Sequence, residues 1–393
     1  QAIGEQPGVT SLANKISAYF TPSILGLALI TGLFWLIIDS SRALNTATAV
    51  LIIACPCALA LASPFTLGTA QRIMGRRDLY LKDDQVVEKM AGLTSIVFDK
   101  TGTITQSGAS EPVFVGGELD SKVKSMIFSV VRESTHPLSM LLTNQLEGSV
   151  VVAIKNFDEF RGRGLEAEVN GHNLRIGSEE WVGAKKNDNL DMTTVFVAVD
   201  KEILGYFKIA NLFRKGLPDL INKLKSDYKL ALLSGDNDSE RSRIETIFGK
   251  ESELIFNQLP HDKLSYIHSK INSGEMTAMI GDGLNDAGAL KAATVGFSIV
   301  ENSSSFSPAC DGILISSGFR LLSSFLRLAK DSIGIIKISF LISFLYNLIG
   351  LTFAVKGTLS PVIAAALMPA SSVTVVIFTT LATTLAAKHR GII

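Results

Sequence analysis

Four uncharged apolar runs constrain this chain more than any other feature. Thr21 to Ile38, Leu44 to Ala70, Ile338 to Val355 and Pro361 to Ala387 contain no Asp, Glu, Lys or Arg. A helix of about 20 apolar residues crosses a bilayer, so the runs predict two membrane-spanning pairs, one towards each end. A long stretch of mixed polarity separates them. The Thr21 run does not read as a cleaved leader, because no basic segment opens it and another span follows. Arg72, Arg76, Arg77 and Lys82 follow the second run, Arg327, Lys330 and Lys337 precede the third, and Lys388, His389 and Arg390 follow the fourth. The turns within each pair carry only Asp39, Arg42 and Lys356. This asymmetry predicts a multi-pass protein in contact with lipid, with both termini and the soluble region cytoplasmic.

Composition agrees. The chain has 393 residues, 47% of them hydrophobic, and a mean hydropathy of +0.32. Its 37 basic and 37 acidic side chains cancel, which argues against nucleic acid as a partner. The three cysteines make no disulfide framework. Cys55 and Cys57 flank Pro56 inside the second run. Proline removes a helix hydrogen bond there, and thiolates suit Cu(I). The competing reading is a kinked helix with two inert buried thiols.

Between the apolar pairs the pattern is α/β. Ser95 to Phe98, Lys229 to Leu233 and Thr277 to Ile280 read as strands, with helices at Leu217–Lys225 and Glu240–Phe248. The predicted organisation is a linker over 1–20, a helix pair with Cys-Pro-Cys over 21–83, an α/β domain in two pieces at 84–110 and 210–328, an inserted α+β domain over 111–209, and a C-terminal helix pair over 329–393. In a doubly wound sheet, functional loops gather at strand C-termini.

Three of those ends carry chemistry. Asp99 closes the first strand and is followed by Lys100-Thr101-Gly102-Thr103-Ile104-Thr105. Ser234-Gly235-Asp236 closes the second, and Gly281-Asp282-Gly283-Leu284-Asn285-Asp286 the third. A carboxylate at a strand end can act as a nucleophile. Backbone N–H groups of the turn and Lys100 would receive phosphate oxygens. Lys263 would neutralise a transferring phosphoryl group, and the hydroxyls of Ser234 and Thr101 would bond to it. Asp282 with Asp286 would hold Mg²⁺, which prefers carboxylates, water and phosphate. Each residue alone reads as a turn former or a solvated charge. Their co-occurrence in this order points to phosphoryl transfer.

Together these motifs resemble the P-type ATPases, whose soluble core is of the haloacid-dehalogenase type. Asp99 to Thr105 matches that family's phosphorylation signature, and Gly281 to Asp286 its hinge motif. The resemblance implies a multidomain membrane protein: an α-helical bundle, a Rossmann-like phosphorylation domain and an inserted nucleotide-binding domain. It also implies that ATP phosphorylates Asp99, that Asp99 and Thr101 join Asp282 and Asp286 around Mg²⁺, and that the aspartyl phosphate drives ion movement. Cys55-Pro56-Cys57 is similar to the intramembrane motif of the heavy-metal (class IB) branch. Ser134-Thr135-His136-Pro137-Leu138 is similar to its nucleotide motif, in which the histidine helps to hold adenine. Gly162 and Gly164 resemble its glycines that let backbone approach ATP.

The last two spans resemble the copper(I) type, through Tyr346-Asn347 and Met368-Pro369-Ala370-Ser371-Ser372. With Cys55 and Cys57, the residues Met368, Tyr346, Asn347 and Ser372 are the implied ligands of transported Cu⁺. The implied location is the bacterial inner (plasma) membrane, and a copper chaperone is an implied partner. Ser339 and Phe378 stand where the commonest copper pumps carry Asn, which resembles the cytochrome-oxidase-assembly branch. Ser234 replaces the usual Thr, Gly288 the usual Pro, and Asn211 an Asp that often precedes Arg214. Nothing in residues 1–20 resembles the family's actuator domain, so the chain is expected to cover part of the family architecture. Two alternatives to a copper exporter stand beside it. One is a metal-binding or regulatory membrane fragment without turnover, and the other is a zinc/cadmium pump.

Overall fold

The computed structural model describes residues 9–54, 57–106, 112–160, 162–184, 193–209, 212–238, 240–283, 285–301 and 310–393, with side chains from Pro22 onward except at 57–59. Its elements in chain order begin with α1 (Val9–Ile38), α2 (Ser40–Ile53), α3 (Cys57–Gly75), β1 (Leu79–Leu81), α4 (Gln85–Ala91) and β2 (Ser95–Asp99). Next come β3 (Val113–Gly116), α5 (Ser121–Val131), α6 (Pro137–Gln145), β4 (Ile154–Phe160), β5 (Gly164–Val169), β6 (His172–Gly177), α7 (Glu179–Val182), β7 (Thr193–Val199) and β8 (Glu202–Ile209). The remainder is α8 (Leu217–Leu224), β9 (Lys229–Leu233), α9 (Arg241–Phe248), β10 (Glu253–Ile255), α10 (Pro260–Asn272), β11 (Thr277–Gly281), α11 (Ala287–Ala292), β12 (Val295–Val300), β13 (Gly312–Ile315), α12 (Leu322–Val355) and α13 (Pro361–His389). The chain divides into two compact units: Gln1–Val97, Lys223–Lys229 and Pro260–Ile393 form one, and Phe98–Asn222 with Leu230–Leu259 form the other.

The first unit carries the apolar helices. α12 and α13 are long and apolar enough to cross a membrane, yet their most apolar windows are only 17% and 22% buried. Ile338, Leu341, Phe344, Leu348, Ile349 and Phe353 on α12 are exposed, as are Val362, Val373, Ile377, Leu381 and Leu385 on α13. So much outward apolar surface suits lipid rather than water. The opposite stripes pack inward: Ser332, Ile336, Ser339 and Ser343 on α12, and Ala364, Ser371, Val375, Thr379 and Thr383 on α13. Small residues let membrane helices approach closely. At Gly350 a Cβ would lie 2.5 Å from Ile53 Cγ1, so α2 and α12 need glycine at their crossing. Trp35 Nε1 donates to Val355 O at 3.0 Å, satisfying one of the carbonyls left open at the end of α12.

The run Leu44 to Ala70, expected as a single span, is two helices. α2 stops at Ile53 and α3 starts at Cys57. A proline lacks the N–H that a continuous helix would need at 56 and disfavours helical backbone in the residue before it. Cys55 and Pro56 lie outside the described residues, as does the Cys57 side chain. α12 is also longer than the Ile338–Val355 run, because its first turns are amphipathic and bury Leu322, Phe325, Leu326 and Ala329.

The same unit holds the strands β1-β13-β12-β11, antiparallel at β1/β13 and parallel elsewhere. Every residue of β11 and β12 is buried, as in a parallel sheet covered on both faces. The start of β2 lies beside β11, where Ser95 Oγ and Thr277 Oγ1 share a hydrogen bond of 2.8 Å.

The second unit holds the end of β2, the parallel pair β9/β10 and a six-stranded antiparallel sheet, β3-β8-β7-β6-β5-β4. Alternate positions of β5 are buried, the period-two signature of a sheet covered on one face. Those residues, Leu165, Ala167 and Val169, form a core with Ile127, Val130 and Val131 of α5 and Leu142 of α6. α5 and α6 are separate helices, divided by residues 132–136.

Candidate active site

In the second unit the site begins where β2 stops. Asp99 is extended (φ −75°, ψ 159°) and buried. Thr101 (φ −77°, ψ 127°) and Gly102 (φ 71°, ψ −8°) then form a type II turn. Its third residue needs a positive φ, which explains the glycine. The turn is held from both sides. Arg214, 5% exposed, donates from Nε to Thr103 O at 2.6 Å and from a terminal guanidinium nitrogen to Gly102 O at 2.7 Å. Thr105 Oγ1 accepts the Gly102 N–H at 3.1 Å.

Lys100 was expected to reach phosphate. Its Nζ instead lies 2.9 Å from Asp236 Oδ2 and 2.7 Å from Glu240 Oε2, with the side chain 2% exposed. Burial alone would push its pKa down, but the carboxylates of Asp236 and Glu240 outweigh it and hold the ammonium above its ordinary value. Thr101 Oγ1 donates to the same Asp236 oxygen at 3.2 Å. Ser234 Oγ accepts the Asp236 N–H at 3.1 Å, so the hydroxyl shapes the Ser234-Gly235-Asp236 turn. The loops after β2 and β9 are therefore one charge-linked structure. Glu240 was not recognised from the sequence, where it reads as an ordinary acid at a helix start.

In the first unit, Lys263 Nζ lies 2.8 Å from Asp286 Oδ1, and both side chains are buried. Gly281 makes room for this pair: a Cβ there would fall 2.8 Å from Asp286 Oδ2. Asp282 is half-buried at the end of β11, its Oδ1 accepting the Asn285 N–H at 3.4 Å. Among the described residues no three His, Cys, Asp or Glu side chains converge as a ready-made metal centre.

In the inserted domain, His136 is the N-cap of α6, and Pro137 occupies the first turn. The Nδ1 of His136 accepts the Leu138 N–H at 3.2 Å, so the proton of the neutral ring sits on Nε2. Gly162 has a φ of +73° and open space around it. Gly164 has a packing reason of its own: a Cβ would strike Ile176 O at 2.3 Å and Trp181 Cδ1 at 2.9 Å.

In the membrane helices, Tyr346 donates its hydroxyl to Leu367 O at 2.8 Å. This places the phenol beside the turn that carries Met368. Ser372 Oγ donates to Met368 O at 3.4 Å, and Met368, Ser372 and Asn347 are all half-buried.

A family model for haloacid dehalogenase-like hydrolases matches residues 93–294, which contain all three strand-end loops. The chain belongs to the haloacid dehalogenase-like hydrolases. Within that family it is similar to P-type ATPases along nearly its whole length. A copper-exporting P-type ATPase of Mycobacterium leprae is 31% identical over 96% of this chain and 50% of its own length. One from Mycobacterium tuberculosis H37Rv is 30% identical over 96% and 51%. A probable copper-importing P-type ATPase of Enterococcus hirae is 30% identical over 96% and 54%. The chain thus spans about half the length of these relatives.

Among solved structures, a zinc-transporting PIB-type ATPase in an E2.Pi state superposes with a TM-score of 0.76. It is 24% identical and covers 94% of this chain and 63% of its own. That likeness speaks to the fold. A catalytic CPx-ATPase domain, CopB-B, is 26% identical with a TM-score of 0.51 over 66% of this chain and 98% of its own. The α/β domain and its insert are therefore similar in fold to the catalytic domain of a CPx-ATPase.

Proposed function

We propose that this chain carries the phosphorylation domain, nucleotide domain and last membrane helices of a P-type ATPase that exports copper(I), with Asp99 as the phosphoryl acceptor. The observation that carries the reading is the loop after Asp99. Asp99 is a buried carboxylate at a strand end, followed by a glycine turn that Arg214 clamps and Lys100 braces.

In this reading Asp99 attacks the γ-phosphorus of ATP. The bond from that phosphorus to the β,γ-bridging oxygen breaks, and ADP leaves with the electron pair. Lys263 supplies positive charge, held in place by Asp286. Asp236 orients Thr101 through their shared hydrogen bond. His136, from the start of α6, and the open turn at Gly162 serve the nucleotide.

The implied Mg²⁺ fits the residues present. It is held in other proteins by one or two carboxylates together with phosphate and water, and Asp99 and Asp282 each supply a carboxylate where a strand ends. Asp99 and Asp282 would hold it, with Asp286 largely committed to Lys263, and it would offset the charge of the transferring phosphate.

The cargo assignment rests on chemistry and on relatives. Met368 is a half-buried, soft thioether on α13, and the described part of α13 has no acidic residue. Thiolates at Cys55 and Cys57 would complete a Cu(I) path. The test is ATP hydrolysis by the full-length protein in proteoliposomes, with Cu(I) or Zn²⁺ supplied. Stimulation by Cu(I) is expected, and stimulation by Zn²⁺ alone would overturn the metal.

A further inference from the structure

Glu240 is a fully buried acid that none of the roles above uses. It stands at the N-cap of α9, yet its side chain makes no capping hydrogen bond. Its carboxylate instead faces two cations. Oε2 lies 2.7 Å from Lys100 Nζ, and Oε1 lies 3.7 Å from the Arg243 guanidinium, one turn along α9. That guanidinium stacks over the Phe213 ring, 4.5 Å from its centroid. Phe213 pairs with Thr105 in an antiparallel bridge, and Gln106 N donates to Leu212 O at 2.9 Å. The next residue, Arg214, clamps Gly102 and Thr103. A continuous path therefore runs from Lys100 through Glu240, Arg243, Phe213 and Arg214 back to the turn after Asp99. It passes through the segment where the chain returns from the nucleotide domain.

We infer that Glu240 is a positioning residue for phosphoryl transfer: by anchoring Lys100 it holds Asp236 and Thr101 in place, and through Arg243 it ties that loop to the strand returning from the nucleotide domain. Lys100 needs two carboxylates because one alone would leave it free to swing with Asp236, whose side chain is 49% exposed. Glu240 is the buried half of the clamp and Asp236 the exposed half. This inference rests on the phosphoryl-transfer reading and names a further residue for it.

The test is rapid-quench phosphorylation of the full-length protein by γ-labelled ATP, comparing wild type, Glu240→Gln, Arg243→Gln and Asp99→Asn. Small misplacements of reacting groups cost rate steeply. Glu240→Gln is expected to slow labelling about tenfold and Arg243→Gln about threefold, each with the ATP KM within about twofold of wild type. A change in KM with an unchanged labelling rate would overturn the inference, as would wild-type labelling in both variants. If Glu240→Gln shows no cooperative melting, Arg243→Gln alone decides, and wild-type labelling in it overturns the inference. Absence of label in the wild type would overturn the phosphoryl-transfer reading itself, and this inference with it.

Discussion

Lys100 and Ser339 are both buried polar residues, 2% and 0% exposed, and they are satisfied in opposite ways. Lys100 reaches across more than a hundred positions of sequence to Asp236 and Glu240. Ser339 turns back on its own helix and donates to Ile335 O at 2.8 Å. The same contrast separates the two regions they belong to. Around the loop after β2, Arg214, Thr101 and Lys100 all bond to remote partners. Along the apolar helices α3, α12 and α13, Thr66, Ser332, Ser339 and Thr383 each bond one turn back. Self-satisfied hydroxyls leave a helix free to shift against its neighbours without breaking polar contacts. A cross-linked loop holds one geometry and loses it when any member is removed.

The largest effect should come from the buried pair. Lys263→Met leaves Asp286 without its ammonium at a site where both side chains are buried. A loss of about 3 kcal/mol in stability is expected, together with a fall of at least about 100-fold in labelling by ATP. Labelling within threefold of wild type would remove Lys263 from the site.

Arg214→Ala comes next. It strips two donors from Gly102 O and Thr103 O and should cost about 2 kcal/mol in denaturant melts of the soluble domains. A cost under about 0.5 kcal/mol would mean that the turn holds itself.

Lys100 gives a pH test. Its pKa is raised above the ordinary 10.5 by Asp236 and Glu240, which outweigh its burial. A raised lysine pKa stabilises the fold fully below the unfolded-state value, and that stabilisation is lost as pH rises through the folded one. The melting temperature of the wild type should therefore fall more steeply above pH 10.5 than that of Lys100→Met. Parallel profiles would contradict the ion pairs.

The smallest effects belong to the helices. Tyr346→Phe loses one hydrogen bond to Leu367 O and should cost about 0.6 kcal/mol in detergent melts. Ser339→Ala, which loses only a bond within its own helix, should be silent within about 0.5 kcal/mol. A large effect of Ser339→Ala would break the contrast between the two regions.

Much of this was legible in the sequence because motifs at strand ends are local. Asp99 to Thr105 and Gly281 to Asp286 are contiguous, and uncharged runs announce α12 and α13. Local reading failed where partners are remote. Lys100 reads as a phosphate ligand until its two carboxylates are seen, and nothing near Glu240 in the chain points to Lys100. Gly164 reads as a nucleotide glycine, yet its close approach to Ile176 comes from the pairing of β5 with β6. The break between α2 and α3 is signalled locally by Pro56, but the uncharged run continues through it and hides where one helix ends and the next begins.

The most direct measurement is the site of phosphorylation. The full-length protein is incubated with γ-labelled ATP and Mg²⁺, quenched in acid, and the labelled peptide identified. An acid-stable, hydroxylamine-labile label on the peptide containing Asp99, absent from Asp99→Asn, is the expected result. Label that persists in Asp99→Asn, or that maps to another residue, would contradict the assignment of Asp99 as the phosphoryl acceptor.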